Sequence, residues 1–384
     1  MSQAPDTAPI RVSTLELFLD LVFVFTITQL TETLTEHPTA ATFGNVALIL
    51  AVVWWMYGGY AWLTNAVAPN STTRRTLLLV GMAGFLVVAL AIPEAFGESG
   101  WLFGAAYLVV NVVHSLLFAH SGGRVRVPLS RLAPINVTAA VLVLAGGFLP
   151  EPFRHIAWVL APILQISSRW LLRPQMHRNS AGHFAERHGL VMIIAIGESI
   201  IAIGLGFRGV ELGAGAILVA VLGLCIAYYL WWAYFAGDDE RAEHVLAHAA
   251  DEPARARLAL DAWGFAHFPM LLGIVVAAAG IKKSVGHAFE ALHWGEAIML
   301  SGGVAIYLLG HAAFLRRLSL DGVIHRVAAA ALVLAVIPLG HVMAVAQLAA
   351  IPLIMIAAAI AEDVPKMRRT GSTSISSFGR TPSA

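Results

Sequence analysis

Apolar stretches of bilayer length recur along this whole chain, and they leave few folds open. A helix that crosses a membrane needs about 20 apolar residues. Windows of that size fall near 15–35, 43–65, 76–93, 101–120, 132–149 and 154–173. A second set falls near 186–207, 211–236, 256–281, 291–315, 323–340 and 342–361. Pro or Gly/charge clusters such as Pro69-Asn70, Pro93-Glu94 and Pro150-Glu151-Pro152 separate most of them. Hydrocarbon offers a backbone amide no partner, so such segments span as helices that satisfy their own hydrogen bonds. The expected fold is all-α, a polytopic helical membrane bundle of about twelve spans. The last two windows join tightly, which leaves the count open by one.

Composition agrees. Of the 384 residues 58% are hydrophobic and 12% charged, against roughly 25% charged in a soluble domain. The net charge of +1 gives no sign of a nucleic-acid partner. The single cysteine, Cys225, excludes an intramolecular disulfide and any cysteine-cluster metal site. Residues 1–12 are polar, and the first apolar run carries Glu16 and Asp20 with no small-residue cleavage site, so it is expected to remain as a membrane helix. Residues 362–384 turn basic and then Ser/Thr/Gly-rich, the composition of a disordered, solvated tail.

Loop charges set the orientation. With both termini cytoplasmic, nineteen Lys and Arg residues fall in inside segments, from Arg11 through Arg74, Arg75, Arg241 and Arg326 to Arg380. The outside loops hold Arg154, Arg208, Lys282 and Lys283, and Arg169 lies near an inside helix end. The expected location is therefore a cell membrane, with the lipid bilayer as partner.

The chain also repeats itself. Val53-Trp54-Trp55-Met56-Tyr57 matches Leu230-Trp231-Trp232-Ala233-Tyr234, and Arg75, Leu78, Gly84 and Phe85 match Arg255, Leu258, Gly264 and Phe265. Extending the register pairs Glu16 with Glu186, and Thr28-Gln29 with Glu198-Ser199. The expected domains are a cytoplasmic segment over 1–12, six-helix repeats over 13–175 and 176–361 sharing one orientation, and the tail over 362–384.

Within this scaffold the costly residues are the intramembrane acids, since a charge in hydrocarbon costs from about 2.5 to more than 10 kcal/mol. Glu16 and Asp20 are four apart and share one helix face, with Thr28, Gln29 and Thr31 extending the polar positions deeper. Glu16 also suits a helix start or a structural pair with Arg187. Glu198 lies 12 residues beyond Glu186, roughly 18 Å along a helix. Ala195 and Ala202 flank it on one stripe, and Gly197 and Gly204 invite close backbone packing. Glu198 and Ser199 therefore read as part of an ion, proton or substrate path, or as a hydrogen-bonded structural glutamate. Asp261 and Glu296 also fall in apolar runs, as do Asn111, His114, Asn136, Gln165, His267 and His311. His183, Glu186 and His188 offer metal-ligand spacing, but a salt-bridged boundary cluster with Arg187 is the plainer account, and no metal or cofactor is expected. The Trp54-Trp55 and Trp231-Trp232 boxes suit either interfacial anchoring or stacking of a cation or planar ligand.

Two segments together resemble the family named for low temperature requirement protein A (LtrA) of bacteria. One is Glu16-Leu17-Phe18-Leu19-Asp20-Leu21-Val22-Phe23-Val24, and the other runs from His183 through Glu186, Arg187, His188 and Gly189 to Ile196-Gly197-Glu198-Ser199. With the helix layout the resemblance covers roughly residues 10–360. It implies a bacterial polytopic membrane protein linked by name to growth in the cold, and it supplies no reaction.

The expected function is a transporter or channel for a small solute or ion, with proton coupling through Glu198 and Asp20 as one form of it. The alternatives are an intramembrane enzyme acting on a lipid or lipid-linked substrate, and a scaffold or sensor. No Walker-type loop, H-E-x-x-H or G-x-S-x-G motif is present, and 237–257 reads as a charged linker. The solute and the oligomeric state stay open.

Overall fold

The computed structural model describes residues 12–66, 71–120, 129–172, 176 and 181–370. Most of the 1–12 segment, residues 371–384 of the tail, and the loop cations Arg124, Arg126, Arg173 and Arg178 lie outside the described residues.

Helix is the only regular structure among the described residues. The first half comprises α1 (Thr14–Glu36), α2 (Ala40–Ala66), α3 (Thr72–Ala91), α4 (Gly100–Ala119), α5 (Leu129–Gly147) and α6 (Phe153–Leu172). The second comprises α7 (Ala181–Gly206), α8 (Ala214–Phe235), α9 (Asp238–Ala247), α10 (Glu252–Ala259), α11 (His267–Ser284), α12 (Trp294–Arg317), α13 (Val323–Ala335), α14 (Ile337–Val342) and α15 (Ala344–Thr370). Among the described residues ten segments are long and apolar enough to cross a membrane, and Arg131–Gly147 is a shorter apolar helix. The window near 154–173 is helical as α6, outside those ten. This is a multi-pass membrane protein.

Local chemistry sets the ends. Ser13 caps α1: its Oγ accepts from Glu16 N, and Glu16 Oε2 accepts from Ser13 N at 2.9 Å. That reciprocal box satisfies two of the amides a helix start leaves free. Asp251 caps α10 from one side, its Oδ1 accepting from Ala254 N at 2.6 Å.

Three expectations change. The stretch 237–257 is not an open linker but two short helices, α9 and α10, and Asp238 at its start is buried. The tail does not begin at 362, because α15 continues to Thr370. A π-helical stretch over Leu260–Ala266 joins α10 to α11, which no apolar periodicity announced.

The centre of the bundle is α11. Every residue from Met270 to Ile281 is buried, as befits a helix apolar on all sides. It packs closely on α12 and is flanked by α1 and α7. The α11–α12 approach depends on absent side chains: a Cβ at Gly273 would lie 2.5 Å from Tyr307 N, and one at Gly280 would lie 2.6 Å from Leu300 N. Gly197 and Gly204 do not serve this purpose, since a Cβ at either meets nothing within 4 Å.

Candidate functional site

The facing pairs Glu16/Asp20 on α1 and His183/Arg187 on α7 are each four residues apart, so each presents one stripe to the other. Arg187 Nη2 donates to Asp20 Oδ1 at 2.8 Å, and Nη1 lies 3.7 Å from Glu16 Oε1. From α2, Tyr57 Oη donates to the same Asp20 Oδ1 at 2.9 Å, and Thr64 Oγ1 accepts from Arg187. His183 puts Nδ1 2.9 Å from Asn65 Oδ1 and Nε2 3.5 Å from Glu16 Oε2. Asp20 and Arg187 are both 0% exposed, which closes this cluster to solvent. Glu16 thus both caps α1 and pairs with α7. Glu186 points elsewhere: it is exposed and lines a cleft with Asp239, Glu240 and Glu243.

Glu198 sits in a second polar seam, where α1, α7 and α11 meet. It is 1% exposed. Thr28 Oγ1 donates to its Oε2 at 2.7 Å, while Oε1 has no hydrogen-bond partner among the described residues. Beside it, Ser199 Oγ is buried without a partner, and so is Thr31 Oγ1, one turn beyond Thr28. At the end of the seam Lys282 forms an ion pair with Glu32. The Gln29 side chain makes no hydrogen bond among the described residues, although its carbonyl accepts from Thr33 Oγ1 at 2.8 Å. Ala195 and Ala202 are buried, as the stripe required.

The remaining acids lie apart from both groups. Asp261, in the π-helical stretch, has Arg317 Nη1 at 3.9 Å. Glu296 caps the start of α12, accepting from His293 N at 3.1 Å. Among the described residues no group of three or more His, Cys, Asp or Glu could hold a metal ion.

Sequence reasoning missed a third buried cluster. Asp238 Oδ2 lies 3.3 Å from His311 Nε2 and 3.5 Å from Arg326 Nη2, and it also pairs with Arg241. Arg326 donates from Nη1 to Glu362 Oε2 at 2.7 Å and from Nε to His311 Nδ1 at 3.2 Å. Four helices meet there: α9, α12, α13 and α15. The signal was present in Arg326 and Glu362, but Asp238 is hidden in a run of charges that looks solvated.

A row of rings joins this cluster to the first. Tyr57 neighbours His188 at 6.4 Å between centroids, His188 neighbours His267 at 5.7 Å, and Tyr234 stands 6.2 Å from His311. Tyr234 Oη donates to His267 Nε2 at 2.9 Å, because His267 Nδ1 is committed to Ala262 O. No hydrogen bond links Tyr57 to His188 among the described residues, so the row is a packed aromatic core rather than a continuous proton wire.

A cavity of about 130 Å³ opens beside His188, between α2, α4, α5 and α6 on one side and α7 and α10 on the other. Trp54, Trp55, Trp62 and Phe184 wall it. Of the two tryptophan boxes, the one on α2 therefore meets a cavity.

The profile of bacterial low temperature requirement A protein (LtrA) matches residues 11–361. A protein of Rhizobium meliloti (strain 1021), described only as uncharacterized, is 29% identical over 310 residues, covering 77% of this chain and 75% of its own length. The match takes in both acid-bearing helices and nearly every described element, and the chain belongs to the bacterial low temperature requirement A (LtrA) family.

Proposed function

We propose that this protein is a membrane transporter or channel for a small solute or ion, coupled to protons through Glu198. The carrying observation is Glu198 itself, a buried carboxylate that meets one hydroxyl, from Thr28, and no cation within ion-pair distance among the described residues, with Ser199 Oγ next to it in the chain buried without a partner. An unsatisfied buried polar group costs about 1–3 kcal/mol, so the two side by side call for water or a moving ion. The Glu32–Lys282 pair, with Glu32 part-exposed, is the polar exit of that seam. Asp20 has a different part. Its salt bridge to Arg187 makes it a structural joint between the first and seventh helices.

The halves 13–175 and 176–361 are repeats in this reading, and their packing supports it. In the first half α1 contacts α2 and α3, α3 contacts α4, α4 contacts α5, and α2 contacts α6. In the second α7 contacts α8 and α11, α11 contacts α12, α12 contacts α13, and α8 contacts α15. Tyr107 of α4 donates to Val52 O of α2 at 3.1 Å, and Tyr307 of α12 donates to Leu230 O of α8 at 2.6 Å. Gly84 and Gly264 correspond less well: a Cβ at Gly84 would meet Val110, while one at Gly264 meets nothing.

Proteoliposomes holding a trapped pH dye and challenged with a panel of small solutes test the function. At least one solute is expected to change lumenal pH, and Glu198→Gln to abolish that change while keeping the wild-type melting profile. Wild-type vesicles that respond to no solute, or a variant that responds equally, overturn the reading.

A further inference from the structure

We propose that the cavity beside His188 binds a neutral, planar ring compound of one or two rings that carries one hydrogen-bond donor. This deepens the transport reading by naming a substrate class, and it rests on that reading only for the ligand's role as cargo.

Size comes first. The cavity measures about 130 Å³, close to an engineered 150 Å³ cavity that takes up benzene. A single or fused ring fits that space and a phospholipid headgroup does not. Shape follows from the walls. Trp54, Trp55 and Trp62 of α2, with Phe184 of α7, supply flat apolar faces, and aromatic pairs gain from offset or edge-on contact beyond the area they bury.

Charge is disfavoured by the lining, which among the described residues contains no Asp, Glu, Lys or Arg. An ion brought into such a space would lose its hydration with no counter-charge. The polar groups that do line the cavity are all at least nine-tenths buried: His114, Asn136, Ser168 and His188. Neither Asn136 nor Ser168 has a side-chain hydrogen bond among the described residues, and His114 Nδ1 is buried without a partner.

His188 fixes the donor requirement. Its Nδ1 lies 2.9 Å from Phe184 O, and a carbonyl only accepts, so Nδ1 carries the proton. In the neutral ring the lone pair is then on Nε2, which has no partner among the described residues. A ligand O–H or N–H would complete it, while Asn136 and Ser168 can meet either polarity.

A helix fault lies on the wall across from α2. Ala259, Leu260 and Gly264 line the cavity, at and around the π-helical stretch. Trp54 Nε1 donates to Gly264 O at 2.7 Å and holds that turn in place. Such turns recur at functional sites because they widen a helix locally.

The test uses full-length protein in nanodiscs and ligand-observed fluorine NMR, with 4-fluorophenol as the probe. We expect saturable line broadening absent from empty nanodiscs, with 4-fluorobenzoate and 4-fluorobenzylamine at least tenfold weaker. Gly58 lines the cavity, and a Cβ there meets nothing within 4 Å, so Gly58→Leu should fill the space and abolish binding. His188→Phe should cut the preference for 4-fluorophenol over fluorobenzene about fivefold, the loss of one hydrogen bond. If Gly58→Leu misfolds, Gly264→Val, also in open space, replaces it. Equal signals from empty and loaded nanodiscs, wild-type binding in the filled variant, or equal binding of the charged probes each overturn the proposal. Binding is read without flux, so an empty cavity and an idle Glu198 are separate results.

Discussion

At the scale of single residues, the acids of α1 and α7 divide by the charge of their partners, although each has one oxygen left over: Asp20 Oδ2 is buried without a hydrogen bond among the described residues. Asp20 meets Arg187 and Tyr57 in a dry cluster, whereas Glu198 meets one hydroxyl. Removing one partner of a buried ion pair costs about 3–5 kcal/mol, while replacing both by apolar groups is often neutral. Arg187→Met should therefore destabilise the protein by about that amount in a detergent melt. Asp20→Leu combined with Arg187→Met should recover much of the loss. A double variant as weak as the single one would show that Arg187 is held mainly through Thr64 and Glu16. The i, i+4 spacing of Glu16 and Asp20 made their shared face legible in the sequence. Which acid meets an arginine and which meets only a hydroxyl was not, because the Arg187 cluster is completed from α2, whose Tyr57 and Thr64 carry no hint of their targets. Asp238 was illegible for a related reason: its partner Arg326 lies 88 residues away.

At the scale of elements, the sequence shows where helices run better than how they touch. Apolar windows gave most span positions to within a few residues, since length and hydropathy are local properties. The roles of the glycines were not local. Gly197 and Gly204 looked like packing positions but face open space, while Gly273 and Gly280 carry the close approach of α11 to α12. Gly273→Val should overpack that contact, costing about 1–3 kcal/mol or more, and lower the melting temperature. Gly197→Ala should leave it unchanged or raise it slightly, as the better helix former. Equal effects would mean that α11 and α12 can separate freely. The π-helical stretch escaped periodicity because one extra residue per turn scarcely alters an apolar pattern.

At the scale of the whole molecule, α11 fills the middle and the two halves meet on it through α1 and α7. The Glu32–Lys282 pair puts the end of α1 and the end of α11 on one side of the bundle, in keeping with the alternation of loop charges. If the loop charges set both termini in the cytoplasm, Glu211→Cys in a Cys225→Ser background should react with an impermeant maleimide from outside intact cells. Asp321→Cys should react only after lysis, and the reverse pattern would invert the topology. The Asp20–Arg187 joint spans 167 residues of sequence, and that has a consequence during biogenesis. At about 5–20 residues per second, α1 waits roughly 8–33 s for its arginine to be synthesised. Throughout that interval a nascent chain carries uncompensated acids into the bilayer, a mark by which membrane proteases can tell unfinished molecules from finished ones. A first half expressed alone should be short-lived, and co-expressing the second half should rescue it.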